Sequence, residues 1–145
     1  MAFVNVYLNF NGNCEEAFTF YKSVFGGEFP YVGRFNEIPA QEGMPTLSPE
    51  AGEKIMHISL PISKETALMG SDTGGEWSSS FKQGNNFSIS VSAKTKEEAE
   101  KLFNGLSQGG AVTMPLSKTF WSECFGMLTD KFGVNWMVSL EADMS

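Results

Sequence analysis

The chain repeats one pattern of strand and helix signals, and this repeat limits the possible folds more than any other feature of the sequence. Residues 4–10 alternate apolar and mostly polar side chains, and residues 86–91 do so again, which is the pattern of a half-buried strand. In each copy a Glu-Glu-Ala segment, an apolar pair and Gly-Gly follow in the same order. Asn5 is matched to Asn86 at an offset of 81 (86 − 5), and the Glu-Glu-Ala segments are offset by 82 (97 − 15). The repeat therefore predicts two similar modules.

Each copy continues with a helix and three further strands. Asn13 can cap the first helix, which carries two glutamates in its first turn and ends at Gly26-Gly27. The later strands are predicted at residues 31–38, 54–62 and 66–71 in the first copy, and at 111–115, 124–129 and 134–140 in the second. The predicted fold class is α+β, with two tandem β-α-β-β-β modules that form curved, cup-like mixed sheets with helices outside.

The length of 145 residues suits a single domain that contains both modules. Module 1 is predicted at about residues 1–73 and module 2 at about residues 85–145. Residues 74–84 lie between them and are rich in Gly and Ser, which is typical of a linker.

The net charge limits the possible binding partners, and the cysteines indicate the cellular compartment. A formal net charge of −7, with no stripe of Lys and Arg, disfavours nucleic acid and anionic membrane surfaces. No apolar run approaches the roughly 18 residues that a membrane-spanning helix needs, and we find no signal-peptide pattern. Cys14 and Cys124 have neither zinc-site nor disulfide spacing. These features predict a cytoplasmic protein.

Motifs near both ends of the chain resemble those of a known family. The opening motif is Tyr-Leu-Asn-Phe-Asn-Gly-Asn-Cys-Glu-Glu-Ala at residues 7–17. The closing motif combines Phe-Trp at 120–121, Phe-Gly at 125–126 and Thr-Asp-Lys-Phe-Gly-Val at 129–134. Together they resemble the PhnB-like family of the vicinal-oxygen-chelate superfamily, which includes glyoxalases, bleomycin-resistance proteins and dioxygenases. The resemblance implies paired modules that each form a cup, and a homodimer.

The resemblance also implies where a catalytic metal would bind. Metal-dependent relatives place His, Gln or Glu ligands on the first and last strands of each module, and the matching positions here are Asn5, Met69, Asn86 and Met137. Asn is a weak ligand and a thioether suits hard or borderline divalent ions poorly. His57 is the one histidine of the chain, so no His pair can replace these ligands. We therefore expect neither a metal nor another cofactor.

Some relatives are described as methyltransferases of the ubiquinone pathway. This sequence does not support that activity, because no Gly-x-Gly-x-x-Gly loop follows a predicted strand.

Strand alternation and the closing motif together predict a ligand site. Alternation directs Tyr7, His57 and Asn86 into the cups, and the closing motif adds Trp121 and Phe125. These five residues are the predicted ligand-binding set.

No catalytic constellation can be assembled, so catalytic residues are not assigned. The roles of Cys14 and Glu123 stay open. The preferred hypothesis is metal-free binding of a small molecule in the cup. The alternatives are a metal-dependent lyase or dioxygenase, and a non-catalytic structural or interaction module.

Overall fold

A sheet of four strands and a long helix form the amino-terminal half of the computed structural model, which describes residues 2, 4–37, 48–73, 81–120 and 122–141. The chain divides into two units, Met1–Lys82 and Gln83–Ser145. The elements of the first unit are β1 (Val6–Phe10), α1 (Cys14–Phe25), β2 (Tyr31–Arg34), a 3-10 turn (Phe35–Glu37), α2 (Pro49–Gly52), β3 (Ile55–Pro61) and β4 (Ala67–Asp72). The strand order is β1-β4-β3-β2, and only the β1–β4 pair is parallel.

The second unit has the same topology. Its elements are β5 (Ile89–Ala93), α3 (Lys96–Ser107), β6 (Ala111–Ser117), β7 (Phe125–Thr129) and β8 (Asn135–Leu140). The strand order is β5-β8-β7-β6, again with one parallel pair, β5–β8. Two mixed four-stranded sheets with helices confirm the predicted α+β class. In the first unit the short helix α2 falls inside a segment that the sequence predicts to be loop. Residues 74–80 of the predicted linker lie outside the described residues.

One face of each sheet packs against a helix and forms the core. The helix α1 buries Cys14, Ala17, Phe18 and Tyr21. The helix α3 buries Ala99, Leu102, Phe103 and Leu106. A glycine in a central strand permits the close approach in both units. A Cβ at Gly70 would lie 2.7 Å from the Phe18 ring, and a Cβ at Gly126 would lie 2.7 Å from the Phe103 ring. No helix in the described part of the chain is long and apolar enough to cross a membrane.

The amino terminus of α1 is capped from a distant strand, so the prediction that Asn13 caps it is wrong. The backbone of Asn13 (φ −117°, ψ 25°) does not have the extended conformation of a usual N-cap, and its side chain makes no capping hydrogen bond. Instead, Asp72 Oδ1 accepts hydrogen bonds from the backbone N–H groups of Gly12 (3.0 Å) and Cys14 (2.9 Å). Its Oδ2 accepts one from Ile55 N–H (2.9 Å). In the second unit, Thr95 caps α3 locally.

Strand register corrects the alignment of the two modules. Val6 pairs with Leu68, and Ile89 pairs with Trp136. The backbone bond from Thr73 N–H to Phe10 O has its counterpart from Glu141 N–H to Ala93 O. First strands are therefore offset by 83 (93 − 10) and last strands by 68 (141 − 73).

The counterpart of Asn5 is consequently Ser88, and matching Asn5 to Asn86 was wrong. Asn86 also precedes β5, which begins at Ile89. The error has a simple cause. Three residues join strand and helix in the first unit and only two in the second, whereas the sequence match assumed a longer connection in the second.

The buried carboxylate of Asp72 should contribute far more to stability than Asn13. In Asp72→Asn only one of the two terminal side-chain atoms can still accept, so either Ile55 N–H or the N–H groups of Gly12 and Cys14 lose their partner. We expect the free energy of unfolding in urea to fall by about 1.5–3 kcal/mol. The matched control Asn13→Ala should change it by less than about 0.5 kcal/mol. Equal losses in the two variants would contradict the assignment of the cap to Asp72.

Candidate functional site

The first sheet has a second face, which points away from α1. Side chains alternate along a strand, so the neighbours of the core residues Leu8 and Gly70 lie on this helix-free face. Direct cross-strand pairs form a row over all four strands, which consists of Tyr7, Met69, Ser59 and Tyr31. In this row Tyr7 is the direct cross-strand neighbour of Met69, so the two side chains lie on the same face.

His57 lies between two tyrosine rings on the helix-free face of the first sheet. Its ring centroid is 5.6 Å from that of Tyr7 and 5.7 Å from that of Tyr31, within the range of aromatic contacts. The Tyr7 hydroxyl is 3.3 Å from His57 Nδ1. When that hydroxyl donates to Nδ1, the neutral imidazole carries its proton on Nε2. His57 Nε2 has no hydrogen-bond partner among the described residues.

Tyr31 was not predicted, and a glycine explains its position. Gly33 pairs with His57 across β2 and β3. A Cβ at Gly33 would lie 2.7 Å from the Tyr31 hydroxyl oxygen, so the absence of a side chain lets the Tyr31 ring cover this position and reach His57. The sequence signal was the spacing Tyr-x-Gly at the start of a predicted strand. Its pairing with β3 could not be read from the sequence.

The helix-free face of the second sheet is different in chemistry. Its corresponding row contains Ser90, Met137, Met127 and Met114. Phe125 lies on the same face, because Gly126 next to it contacts α3, and only 8% of Phe125 is exposed. Asn86 is exposed before β5, and Trp121 lies outside the described residues. Of the five predicted ligand contacts, the structure therefore brings Tyr7 and His57 together and places Phe125 on the helix-free face of the second sheet.

The residues at the metal-ligand positions of the family do not fit a divalent cation. Asn5 Oδ1 accepts a hydrogen bond from Ala67 N–H (3.1 Å). Met69 and Met137 offer only thioether sulfur, and Ser88 offers a neutral hydroxyl. In the described ranges, no group of three or more His, Cys, Asp or Glu side chains could hold a metal ion.

A polar cleft of about 490 Å³ lies beside the amino terminus of α1. It is lined by Gly12, Glu15, Arg34, Asn36, Glu50, Glu53, Lys54, Ile55 and Asp72. Both basic side chains of this lining make hydrogen bonds within the unit. The Arg34 guanidinium donates to both Glu15 carboxylate oxygens (2.6 and 3.2 Å) and to Glu53 O (2.7 Å), and Lys54 Nζ donates to Gly12 O (2.9 Å). The hydrogen bonds from Arg34 lower the pKa of Glu15. These contacts indicate that the cleft residues join α1 to β2 and β3.

Three further residues with reactive side chains lack the surroundings of a catalytic group. Burial raises the pKa of the Cys14 thiol strongly, and the nearby Asp72 and Glu15 carboxylates raise it further. The pKa of Cys124 is also raised, chiefly by burial. Glu123 and Lys118 form an exposed ion pair at 3.8 Å. A nucleophilic thiolate needs the opposite environment, one that lowers its pKa.

Comparison with solved structures establishes the class of the fold. A glyoxalase/bleomycin resistance protein/dioxygenase family enzyme from Burkholderia phytofirmans PsJN aligns with 95% of this chain and 95% of its own. The TM-score is 0.58 at 16% identity, so this likeness concerns the fold alone. The protein thus has the fold of the vicinal-oxygen-chelate superfamily, with the curved sheets predicted from the repeat.

More similar relatives then identify the family. A family model described as 3-demethylubiquinone-9 3-methyltransferase matches residues 3–139. Protein YjdN of Escherichia coli (strain K12) is 31% identical over 139 residues, 92% of each chain. Protein PA1353 from Pseudomonas aeruginosa is 40% identical over 99% of this chain and 100% of its own, with a TM-score of 0.81. A PhnB protein from Bacillus cereus is 29% identical over 95% and 98%, with a TM-score of 0.71. The chain belongs to this 3-demethylubiquinone-9 3-methyltransferase family, and its resemblance to PhnB-like proteins is confirmed.

The side chains at the family's metal-ligand positions, Asn5, Met69, Ser88 and Met137, are poor ligands for divalent metals. We therefore predict that the purified protein retains no stoichiometric divalent metal. Elemental analysis after purification without chelator should find zinc, nickel, manganese and iron each far below one ion per chain. Substituting His at both Asn5 and Met69 adds two nitrogen ligands and should raise the nickel content, which provides a positive control. Near-stoichiometric metal in the natural protein, lost on changing Asn5, Met69, Ser88 or Met137 to Ala, would contradict the prediction.

Proposed function

We propose that this PhnB-like protein binds a small organic molecule, without a catalytic divalent metal, on the helix-free face of its first sheet. The observation that carries the proposal is the cluster of Tyr7, His57 and Tyr31. Two aromatic rings and an imidazole meet on a face that carries none of the helix packing. Convergent aromatic and polar groups of this kind are typical of ligand sites.

The exposure of the cluster supports a binding role over a purely structural one. Tyr7 is 44% exposed and Tyr31 is 49% exposed, so both rings are accessible to a ligand. Tyrosine combines an apolar ring with a hydroxyl, which makes it common at binding surfaces. His57 Nε2, which has no partner among the described residues, adds a directed hydrogen-bonding group. Phe125, Asn86 and Trp121 belong to the second unit and remain predicted ligand contacts there, and the position of Phe125 on the helix-free face of the second sheet supports its part of that prediction.

The methyl transfer named in the family description is not part of this proposal. Nucleotide-like cofactors usually bind at the carboxyl ends of parallel strands, beside a glycine-rich loop. Among the described strands each sheet contains one parallel pair, and the connection from β1 to α1 is the short segment Asn-Gly-Asn. The N–H groups at the start of α1 already donate to Asp72.

We also propose a cytoplasmic homodimer. The two cysteines are free and buried, as is usual in a reducing compartment. Each sheet ends in two edge strands, β1 and β2 in one unit and β5 and β6 in the other, and edge strands are commonly covered by further contacts.

A ligand screen followed by variants tests the binding site. Compounds that raise the melting temperature should lose affinity in His57→Ala and in Tyr7→Ala, by about tenfold each, because each variant removes a contact worth about 1.4 kcal/mol. Val112→Ala, which truncates an equally exposed apolar side chain on β6, is the matched control and should bind normally. Ligands whose affinity is unchanged in both site variants would place binding elsewhere, and a screen without any ligand would favour the interaction-module hypothesis.

Light scattering tests the homodimer. At micromolar concentration the measured mass should be twice the chain mass of 15.9 kDa. A mass equal to that of one chain would disprove the dimer.

A further inference from the structure

The helix-free faces carry no formally charged side chain in the part of the chain that the structure describes. The chain has 10 Lys and Arg and 17 Asp and Glu, yet strand residues on the first of these faces are Tyr, Asn, Ser, Met, His, Ala, Pro and Gly. The two charged residues of these four strands point to the other side. Arg34 follows an irregularity in β2 and binds Glu15 on α1, and Asp72 binds the start of α1.

The strand residues on the helix-free face of the second sheet are also uncharged, but they are of different types. Its helix-free face consists of Ser, Met, Phe, Thr, Asn and Ala, and the row of Met137, Met127 and Met114 crosses three adjacent strands. Methionine side chains are flexible and polarisable, so they adapt to the shape of an apolar ligand. The net charge is −7, yet the described strand residues of each helix-free face, considered separately, carry no formal charge.

The lack of charged side chains on the helix-free face of the first sheet favours uncharged ligands over charged ones. An ionic group brought onto the first face would lose hydration and find no counter-charge, which is costly unless the charge is paired. A neutral ring loses little, and it gains contact with Tyr7, Tyr31 and the Met69 thioether. The row from Tyr7 to Tyr31 spans three strand spacings, about 14 Å, which is long enough for a fused aromatic system.

We infer that the ligand class is an uncharged, planar aromatic molecule with a hydrogen-bonding group directed at His57 Nε2. The inference rests on the proposed function, since it names the ligand chemistry of the same site. It also excludes strongly charged cofactors from this face.

Three matched probes test the inference: naphthol, naphthoate and naphthylmethylammonium, which share one ring system and are neutral, anionic and cationic at neutral pH. Each is titrated into the isotope-labelled protein and followed by amide resonances of β1 to β4. Naphthol should shift the resonances of Tyr7, Tyr31, His57 and Met69 and bind at least about tenfold more tightly than either ion. Its affinity should not change between low and high salt, because no ion pair forms.

Variants separate the contributions to naphthol binding. His57→Phe keeps a ring but removes Nε2, and the affinity for naphthol should fall about fivefold, as expected for one hydrogen bond. Tyr31→Leu should lower it about tenfold, whereas Val112→Ala should leave it unchanged. Circular dichroism confirms that each variant is folded.

The outcomes distinguish failure of the inference from failure of the proposed function. If naphthoate or naphthylmethylammonium shifts the same resonances with equal or higher affinity than naphthol, the binding face stands and the uncharged class is wrong. If none of the three probes shifts these resonances, the inference fails, and the proposed function stands only if the ligand screen finds compounds whose affinity depends on Tyr7 and His57. If the screen finds no such compound either, both fail.

Discussion

One buried carboxylate holds the architecture of the first unit together. Asp72 is 3% exposed, stands at the end of β4, and joins the β1–α1 connection to the start of β3 through three backbone N–H groups. Parallel pairing of β1 with β4 brings Asp72 opposite Phe10, so the carboxylate is delivered to the helix terminus by the sheet. A negative charge is favourable there because the first N–H groups of a helix lack partners and its dipole is positive at that end. The position of α1 is thereby fixed on one face, and the other face is left for Tyr7, His57 and Tyr31.

The second unit caps its helix with a nearby residue and uses its buried carboxylate in a hairpin instead. Asp130, also 3% exposed, accepts hydrogen bonds from Phe132 N–H, Val134 N–H and the indole N–H of Trp136. It organises the β7–β8 hairpin, while Thr95 caps α3. Asp130 is not the counterpart of Asp72, because the register of the last strands matches Asp72 to Leu140. In both units, however, the buried carboxylate obtains enough donors to offset its loss of hydration. This divergence agrees with the two helix-free faces, which are aromatic in one unit and rich in methionine in the other.

The sequence predicted those features that depend on local periodicity. Alternation alone placed Tyr7 and His57 on one face, and the repeat predicted both sheets. Features that depend on contacts between distant segments were missed. The cap of α1 comes from a residue 58 positions away from Cys14, and Asn13 offered a plausible local substitute. Tyr31 reaches His57 only because β2 pairs with β3 in one register, and Asn86 was misplaced because a short loop changed length.

The two units share one fold but differ in the side chains of their cross-strand rows. In the cross-strand rows, Tyr7 corresponds to Ser90, Ser59 to Met127, and Tyr31 to Met114, while Met69 and Met137 occupy the same position. The strand pairing is thus common to both rows, and three of the four side chains in each row differ. A metal centre would require ligands of suitable chemistry from the shared first and last strands, and Asn5, Ser88, Met69 and Met137 do not supply them. Without such ligands, the remaining source of selectivity on these sheets is the side chains of the rows, and the single histidine lies beside the row that contains two tyrosines.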